Sequence, residues 1–349
     1  MSNITVPKSI CIIRLSAIGD CINVIPLVQL IQKTYPQVKI TWITEKIEAE
    51  LLNFMSGIDF ITYNKKKGLK ELQRLKKILK TRHFDYLLHL QSAIKASIIA
   101  HFVKAETKIG FCKERSKDLQ WMFINKKIPS PRGSHVVDGF MEFAYAIGCP
   151  REVPVWNITT DQTALDKFKK IISLNRPLCL INPCTSKESK NWTIEGYIEI
   201  CNYMIDKGFN VYLIGGNSKT EQIYNHEIIN AARNGVDSLI GKTTINELLA
   251  VISMASIVIS ADTAAVHMAN ALNIPVVGLY ATHNPERVGP YNQPQNAVSV
   301  YETCVEKEYG KPSSMLPWRT RVHNPEAMKL ITPSMVQSAV DKVCKDWNL

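Results

Sequence analysis

The chain has 349 residues, more than one hydrophobic core ordinarily organises at about 100–200 residues per domain, so two domains are expected. A hydrophobic content of 46% and a charged content of 21% are those of a globular protein and argue against long disorder. The formal charge of +11 suits nucleic acid, an anionic membrane face or a small acidic substrate, but the basic residues are dispersed and not interleaved with aromatics, which speaks against nucleic acid.

Ser9-Ile10-Cys11-Ile12-Ile13-Arg14 reads as a nearly continuous apolar strand. It is too short for a secretory leader and is ended by Arg14 and Asp20. No window approaches the ~18 uninterrupted apolar residues of a spanning helix, so any membrane contact is expected to be peripheral. Ser16 to Asp20 forms a turn, and Val24 to Thr34 has helical spacing. Val38 to Thr44 alternates as a strand, and Tyr86 to Leu90 is another. From Lys65 to Arg82 basic residues surround a stripe of Leu69, Leu72, Leu75, Ile78 and Leu79, the spacing of one helical face. That helix is either a solvated surface element packed by its leucines or a contact for an anionic leaflet or acceptor.

Pro150 to Val155 breaks the pattern, Thr160 to Leu174 reads as a helix, and a strand follows at Leu178 to Asn182. The second half repeats the order: Gly208 to Gly216 is helix end, strand and glycine turn, Ile257 to Ser260 is a strand feeding a helix over Thr263 to Leu272, and Pro275 to Tyr280 is a buried strand. Ser334 to Lys345 reads as a closing helix. Strands alternating with helices imply parallel pairing, hence an α/β protein of two Rossmann-like domains facing across a cleft. The expected boundaries are 1–160, 161–330 and a closing C-terminal helix at 331–349. Nine cysteines form no Cys-x-x-Cys pair and several lie inside apolar runs, so they read as buried thiols of a reducing compartment and not as a disulfide framework or zinc site.

Three stretches could carry chemistry. Ser260-Ala261-Asp262-Thr263-Ala264-Ala265 places a helix start with small residues directly after a strand, where free N–H groups and the helix dipole attract phosphate; equally, Asp262 or Thr263 could merely cap the helix. Asn182 to Trp192 supplies hydroxyls and lysines after a strand and is either a diphosphate cradle or a polar loop with Ser189 or Thr193 as a cap. Arg14 to Asp20 lacks both G-x-G-x-x-G and G-x-x-x-x-G-K-[ST], so ordinary dinucleotide and P-loop binding lose support. Asp20 there could take a proton from a substrate hydroxyl or cap the following helix.

Arg14-Leu15-Ser16-Ala17-Ile18-Gly19-Asp20, Asn182 to Trp192 ending in Lys-Asn-Trp, Ser260 to Ala269, and Gly278 to Tyr291 occur in this order. Together they resemble the ADP-heptose:lipopolysaccharide heptosyltransferases of glycosyltransferase family 9, over most of the chain up to about Tyr291. The resemblance implies a GT-B fold, with the acceptor on the N-terminal domain and the sugar nucleotide mainly on the C-terminal one. It implies inverting transfer of heptose from ADP-heptose to a Kdo-lipid A type acceptor in the inner core, with no metal and no cofactor. The place of work would be the cytoplasm, with peripheral contact at the cytoplasmic face of the inner membrane.

Carried over by position, Asp20 matches the general base. Thr185, Ser186 and Lys190 match donors to the diphosphate, and Thr263, Ala264 and Ala265 match the phosphate-binding backbone. Asp262 is assigned to sugar hydroxyls, because a carboxylate aimed at diphosphate would be repelled. Glu221 corresponds to a ribose-binding carboxylate, and His267 completes the donor set. Gln91, Lys95 and Arg115 fall where the family has groups facing an anionic sugar acid. Three positions depart from the pattern: Ala264-Ala265 where a Gly-Leu pair is usual, His89 where an Asp is common, and Tyr280-Ala281-Thr282 where Gly-Pro-Thr is usual. The same scaffold with another nucleotide sugar, or a non-catalytic nucleotide-binding protein, are the alternatives.

Overall fold

The computed structural model describes residues 6–349 and divides into two compact units, one ending at Asn157 and the other spanning Ile158–Leu349. Each contains a six-stranded, all-parallel sheet. In the first unit the strands are β1 (Ser9–Ile13), β2 (Lys39–Glu45), β3 (Ile58–Tyr63), β4 (His83–His89), β5 (Lys104–Gly110) and β6 (Lys126–Lys127), in the order β3-β2-β1-β4-β5-β6. In the second they are β7 (Leu178–Asn182), β8 (Asn210–Leu213), β9 (Val236–Ser238), β10 (Ile257–Ala261), β11 (Val276–Tyr280) and β12 (Ala297–Ser299). Their order, β9-β8-β7-β10-β11-β12, is the same as that of the first sheet.

Helices cover both faces of such sheets, so the central strands are buried on both sides and read as apolar runs, not as alternating ones. Ile10, Cys11, Ile12 and Ile13 of β1 are wholly buried, and every residue of β7, β10 and β11 is buried. The first core joins β1, β2 and β4 to Leu75, Leu79, Ile99 and Ala100 of two helices. The second joins its sheet to Trp192, Tyr197, Ile200 and Met204, and to Val336, Val340 and Val343 of the last helix. That helix, Pro333–Trp347, is thus a core element of the second unit; Asp341 on it accepts from Tyr203 at 2.5 Å and pairs with Lys207 at 2.7 Å. All nine cysteines are buried and unpaired.

Several elements differ from the sequence expectation. The first helix begins at Ile18, not near Val24, which takes Asp20 out of a turn and into the first helical turn. The basic stretch breaks into a 3-10 turn at Lys65–Lys67 and a helix at Gly68–Leu79, because Gly68 adopts a left-handed φ of +53°. Leu75 and Leu79 of its stripe are buried, whereas Leu69 is exposed. The helix expected over Thr160 to Leu174 is confined to Gln162–Lys169, started by the Asp161 cap.

The segment after Pro150 belongs to the first unit. Pro26 lies inside helix Ile18–Thr34 and has no N–H to give the carbonyl of Ile22. The indole N–H of buried Trp156 donates to that carbonyl at 2.9 Å. Gln29 and Asn157 exchange two hydrogen bonds, and Lys33 pairs with Glu152.

Candidate active site

In an open parallel sheet, ligands bind beyond the carboxyl ends of the strands where the chain order reverses. In the first unit that point lies between β1 and β4. Ile13 pairs with His89, so the loops after both strands emerge side by side. They are tied together: Leu15 N–H donates to Gln91 Oε1 at 2.7 Å, and Arg14 Nη1 donates to the Leu90 carbonyl at 2.9 Å. The other arm of the Arg14 guanidinium forms an ion pair with Asp20, while its plane lies against Phe140. Asp20 is not the helix cap, since Ala17 occupies that position. Its side chain is 36% exposed against 12% for Arg14. A carboxylate fixed on one side by a partly buried cation and open on the other can receive a proton from a bound hydroxyl.

Lys95 stands exposed in the first turn of helix Ile94–Phe102. Arg115 is different. It is buried, and its guanidinium donates to the carbonyls of His135 (3.0 Å) and Gly133 (2.6 Å), in space left open by Gly139. Those donors are committed inside the fold. His89 is wholly buried, with Nε2 3.1 Å from Ser97 Oγ and no partner for Nδ1. Burial, reinforced by Lys108, pushes it down to about 3, so the imidazole is neutral.

The equivalent point of the second unit lies between β7 and β10, where Asn182 pairs with Ser260. Thr263 caps helix Ala264–Ala271, its hydroxyl accepting from Ala265 N–H at 3.2 Å. Asn182 Nδ2 reaches the same hydroxyl at 3.2 Å and Ser260 Oγ lies 2.9 Å from it. Lys190 Nζ sits 2.6 Å from Asp262 Oδ2, with both side chains poorly exposed.

The Lys-Asn-Trp run is what holds Lys190 there. Asn191 Oδ1 accepts from Thr185 N–H at 2.7 Å and closes the loop. Trp192 is buried, donates its indole N–H to the Ile331 carbonyl at 2.8 Å, and packs where a Cβ on Gly196 would be 2.6 Å away. Thr185 Oγ1 is turned onto Lys187, donating to its carbonyl at 2.6 Å, and Ser186 is exposed. Burial would raise the Asp262 carboxyl, but the Lys190 ammonium beside it outweighs that and holds the group below its usual range.

Glu221 stands in the first turn of helix Lys219–Ala231. Its carboxylate accepts from Gly216 N–H at 2.5 Å and Ser218 N–H at 2.8 Å, a capping box that shapes the glycine turn.

Several residues near this centre carry no role in the sequence reading. His283 Nδ1 lies 3.4 Å from Asp262 Oδ2. Burial and the neighbouring cations push His283 down to about 3, so the ring is neutral and that contact is not an ion pair. The Tyr280 hydroxyl is buried with no hydrogen-bond partner. Arg287 and Arg321 act electrostatically on His283. Arg14 was within the first motif, but only its register against β4 gives it a task.

Two like-wound α/β units, each with polar residues gathered where its sheet reverses order, have the GT-B fold of glycosyltransferases. The model of glycosyltransferase family 9 (heptosyltransferase) matches residues 72–319, and the chain belongs to that family. It is 41% identical over 339 residues to the lipopolysaccharide core heptosyltransferase OpsX of Haemophilus influenzae, covering 97% of each chain. Its fold matches a family 9 glycosyltransferase from Veillonella parvula with a TM-score of 0.77 at 17% identity, covering 97% of both chains. It also matches the E. coli heptosyltransferase WaaC with ADP-2-deoxy-2-fluoro heptose, with a TM-score of 0.72 at 16% identity over 96% of this chain and 99% of that one. Among the described residues no helix is long and apolar enough to cross a membrane.

Proposed function

We propose that the chain transfers heptose from ADP-heptose to the Kdo-containing inner core of a lipopolysaccharide precursor, with inversion at the anomeric carbon. The donor would be held by the second unit and the acceptor by the first, at the cytoplasmic face of the membrane. The observation that carries this reading is the Lys190–Asp262 pair set beside the capped start of helix Ala264–Ala271. It joins a cation and backbone N–H groups suited to diphosphate with a carboxylate suited to sugar hydroxyls.

In the proposed reaction an acceptor hydroxyl oxygen attacks the anomeric carbon and its proton passes to Asp20. The bond from that carbon to the diphosphate oxygen breaks, and ADP leaves with the electron pair. Lys190 and the Ala264 N–H, joined by the Ala265 N–H once it leaves Thr263 Oγ1, meet the charge that grows on the departing oxygen. Binding of diphosphate would draw Lys190 from Asp262 and turn the carboxylate to the sugar. Thr185, Ser186 and His267 line the donor side, and Glu221 supports it through the glycine turn it closes. Gln91 and Lys95 serve the acceptor, with Arg115 holding the nearby loop.

The test is incubation with ADP-heptose and a panel of Kdo-lipid acceptors, with products read by mass. Gain of one heptose is expected, and no transfer to any acceptor defeats the proposal. ADP, UDP and GDP titrated side by side separate this donor from another nucleotide sugar.

A further inference from the structure

Beyond β11 the chain makes the short helix Pro285–Val288, and the later stretch through Trp318 to Arg321 returns to it. His283 and Arg321 form an antiparallel bridge, and Val322 N–H donates to the Thr282 carbonyl at 3.0 Å. This return places three arginines together. The Arg287 guanidinium lies 5.2 Å from the centre of the Trp318 ring, and that of Arg319 lies 5.5 Å from the same ring. Arg287 is only 5% exposed, and its Nε has no hydrogen-bond partner. Among the described residues no carboxylate stands within ion-pairing distance of Arg287 or Arg321. Burial together with Arg321 and Arg319 pushes Arg287 down to about 10, and Asp262 is the one carboxylate acting in the opposite sense. Asp262 is already engaged by Lys190.

A buried guanidinium without a counter-charge is costly, and an orphaned buried donor calls for a partner. Arginine's planar fork matches tetrahedral phosphate oxygens, and its weak hydration makes burial beside an indole tolerable. We propose that Arg287, with Arg319 and Arg321, forms a second anion subsite in the C-terminal unit, one that takes a phosphoryl group. This rests on the donor reading above only for the source of that group, which is either the nucleotide diphosphate or a phosphorylated sugar of the acceptor.

The experiment titrates the purified full chain with inorganic phosphate, alone and when saturated with ADP, followed by calorimetry and by thermal unfolding. The variants are Arg287→Met and the exposed Arg321→Gln. Phosphate affinity is expected to fall at least tenfold in Arg287→Met and several-fold in Arg321→Gln. Without phosphate, Arg287→Met is expected to unfold at a temperature no lower than wild type, since an unpaired buried charge has gone. Phosphate displaced by ADP assigns the subsite to the donor diphosphate; phosphate retained in the ADP complex assigns it to the acceptor. Phosphate binding that is absent, or unchanged in both variants, overturns the subsite. Because Arg321 is exposed, its variant keeps the test decisive if Arg287→Met fails to fold. Failure of heptose transfer would leave the phosphate titration intact, so the two proposals fail separately.

Discussion

The two units lay the same strand order under two different chemistries. At the reversal point of the first, a carboxylate in a helical turn, Asp20, is paired with an arginine from the strand end. At that of the second, a carboxylate just ahead of a helix cap, Asp262, is paired with a lysine from the neighbouring loop. Asp20 is 36% exposed with a single charged partner; Asp262 is 15% exposed and is also contacted by His283. The shared backbone therefore fixes where a carboxylate–cation pair can sit, while exposure and bracing divide the tasks. The open pair can exchange a proton with a substrate, and the closed one is suited to holding a ligand.

The sharpest way to break this contrast is to exchange the consequences of losing each pair. Asp20→Asn keeps an oxygen for Arg14 and removes the proposed base. Turnover is expected to fall by about 10²–10⁴-fold with thermal stability near wild type. Asp20→Ala should lose as much activity and also some stability, because the partly buried Arg14 is left without its carboxylate. Full turnover in Asp20→Asn would remove Asp20 from the proton transfer. Lys190→Ala is expected to cost about 10²–10³-fold in turnover, with weakened ADP binding measured by calorimetry. Wild-type ADP affinity and turnover there would reduce the Lys190–Asp262 pair to a structural tie.

Much of this contrast is legible in the sequence because parallel strands are buried on both faces and announce themselves as apolar runs, as Ile10 to Ile13 and Val276 to Tyr280 do. The segments carrying Asp20, Lys190 and Asp262 follow such runs, so their placement beyond strand ends could be read directly. What could not be read is partnership. The Arg14–Asp20 pair depends on the helix starting at Ile18, ahead of its regular apolar spacing. Arg115 offers the same charge as Lys95 in sequence, and only the fold shows it donating to Gly133 and His135. The arginines near Trp318 lie more than thirty residues beyond Arg287, so their meeting is a product of tertiary return, with no local spacing to signal it.

Acid probes two of the buried imidazoles, His89 in the first unit and His283 in the second. His89 and His283 are both pushed down to about 3 by burial, whereas each would titrate near 6.5 in the unfolded chain. The unfolded state then binds protons that the native state refuses, so stability is present above pH 6.5 and is lost as pH falls toward 3. Each such proton contributes a slope of roughly 1.4 kcal/mol per pH unit. Glu48, pushed up to about 7 by burial, works in the opposite sense between its two values and offsets one histidine down to about pH 4.5. Denaturant unfolding across this range should therefore steepen below pH 4.5. His283→Asn should remove one proton's slope, and an unchanged slope would mean that His283 is protonated in the folded protein.

The smallest expected effect concerns a feature the first unit has and the second lacks. Helix Ile194–Asp206, after β7, contains no proline and is started by the Thr193 cap, whereas helix Ile18–Thr34, after β1, carries Pro26 and relies on Trp156 to occupy the Ile22 carbonyl. Trp156→Phe leaves that buried acceptor without its donor and should cost about 1–3 kcal/mol in denaturant unfolding. Pro26→Ala restores a backbone N–H that can take the same carbonyl along the helix. In that background Trp156→Phe should cost less, since the acceptor no longer depends on the indole. Equal costs in both backgrounds would show that Trp156 stabilises the unit by packing alone, and that the proline and the tryptophan are independent.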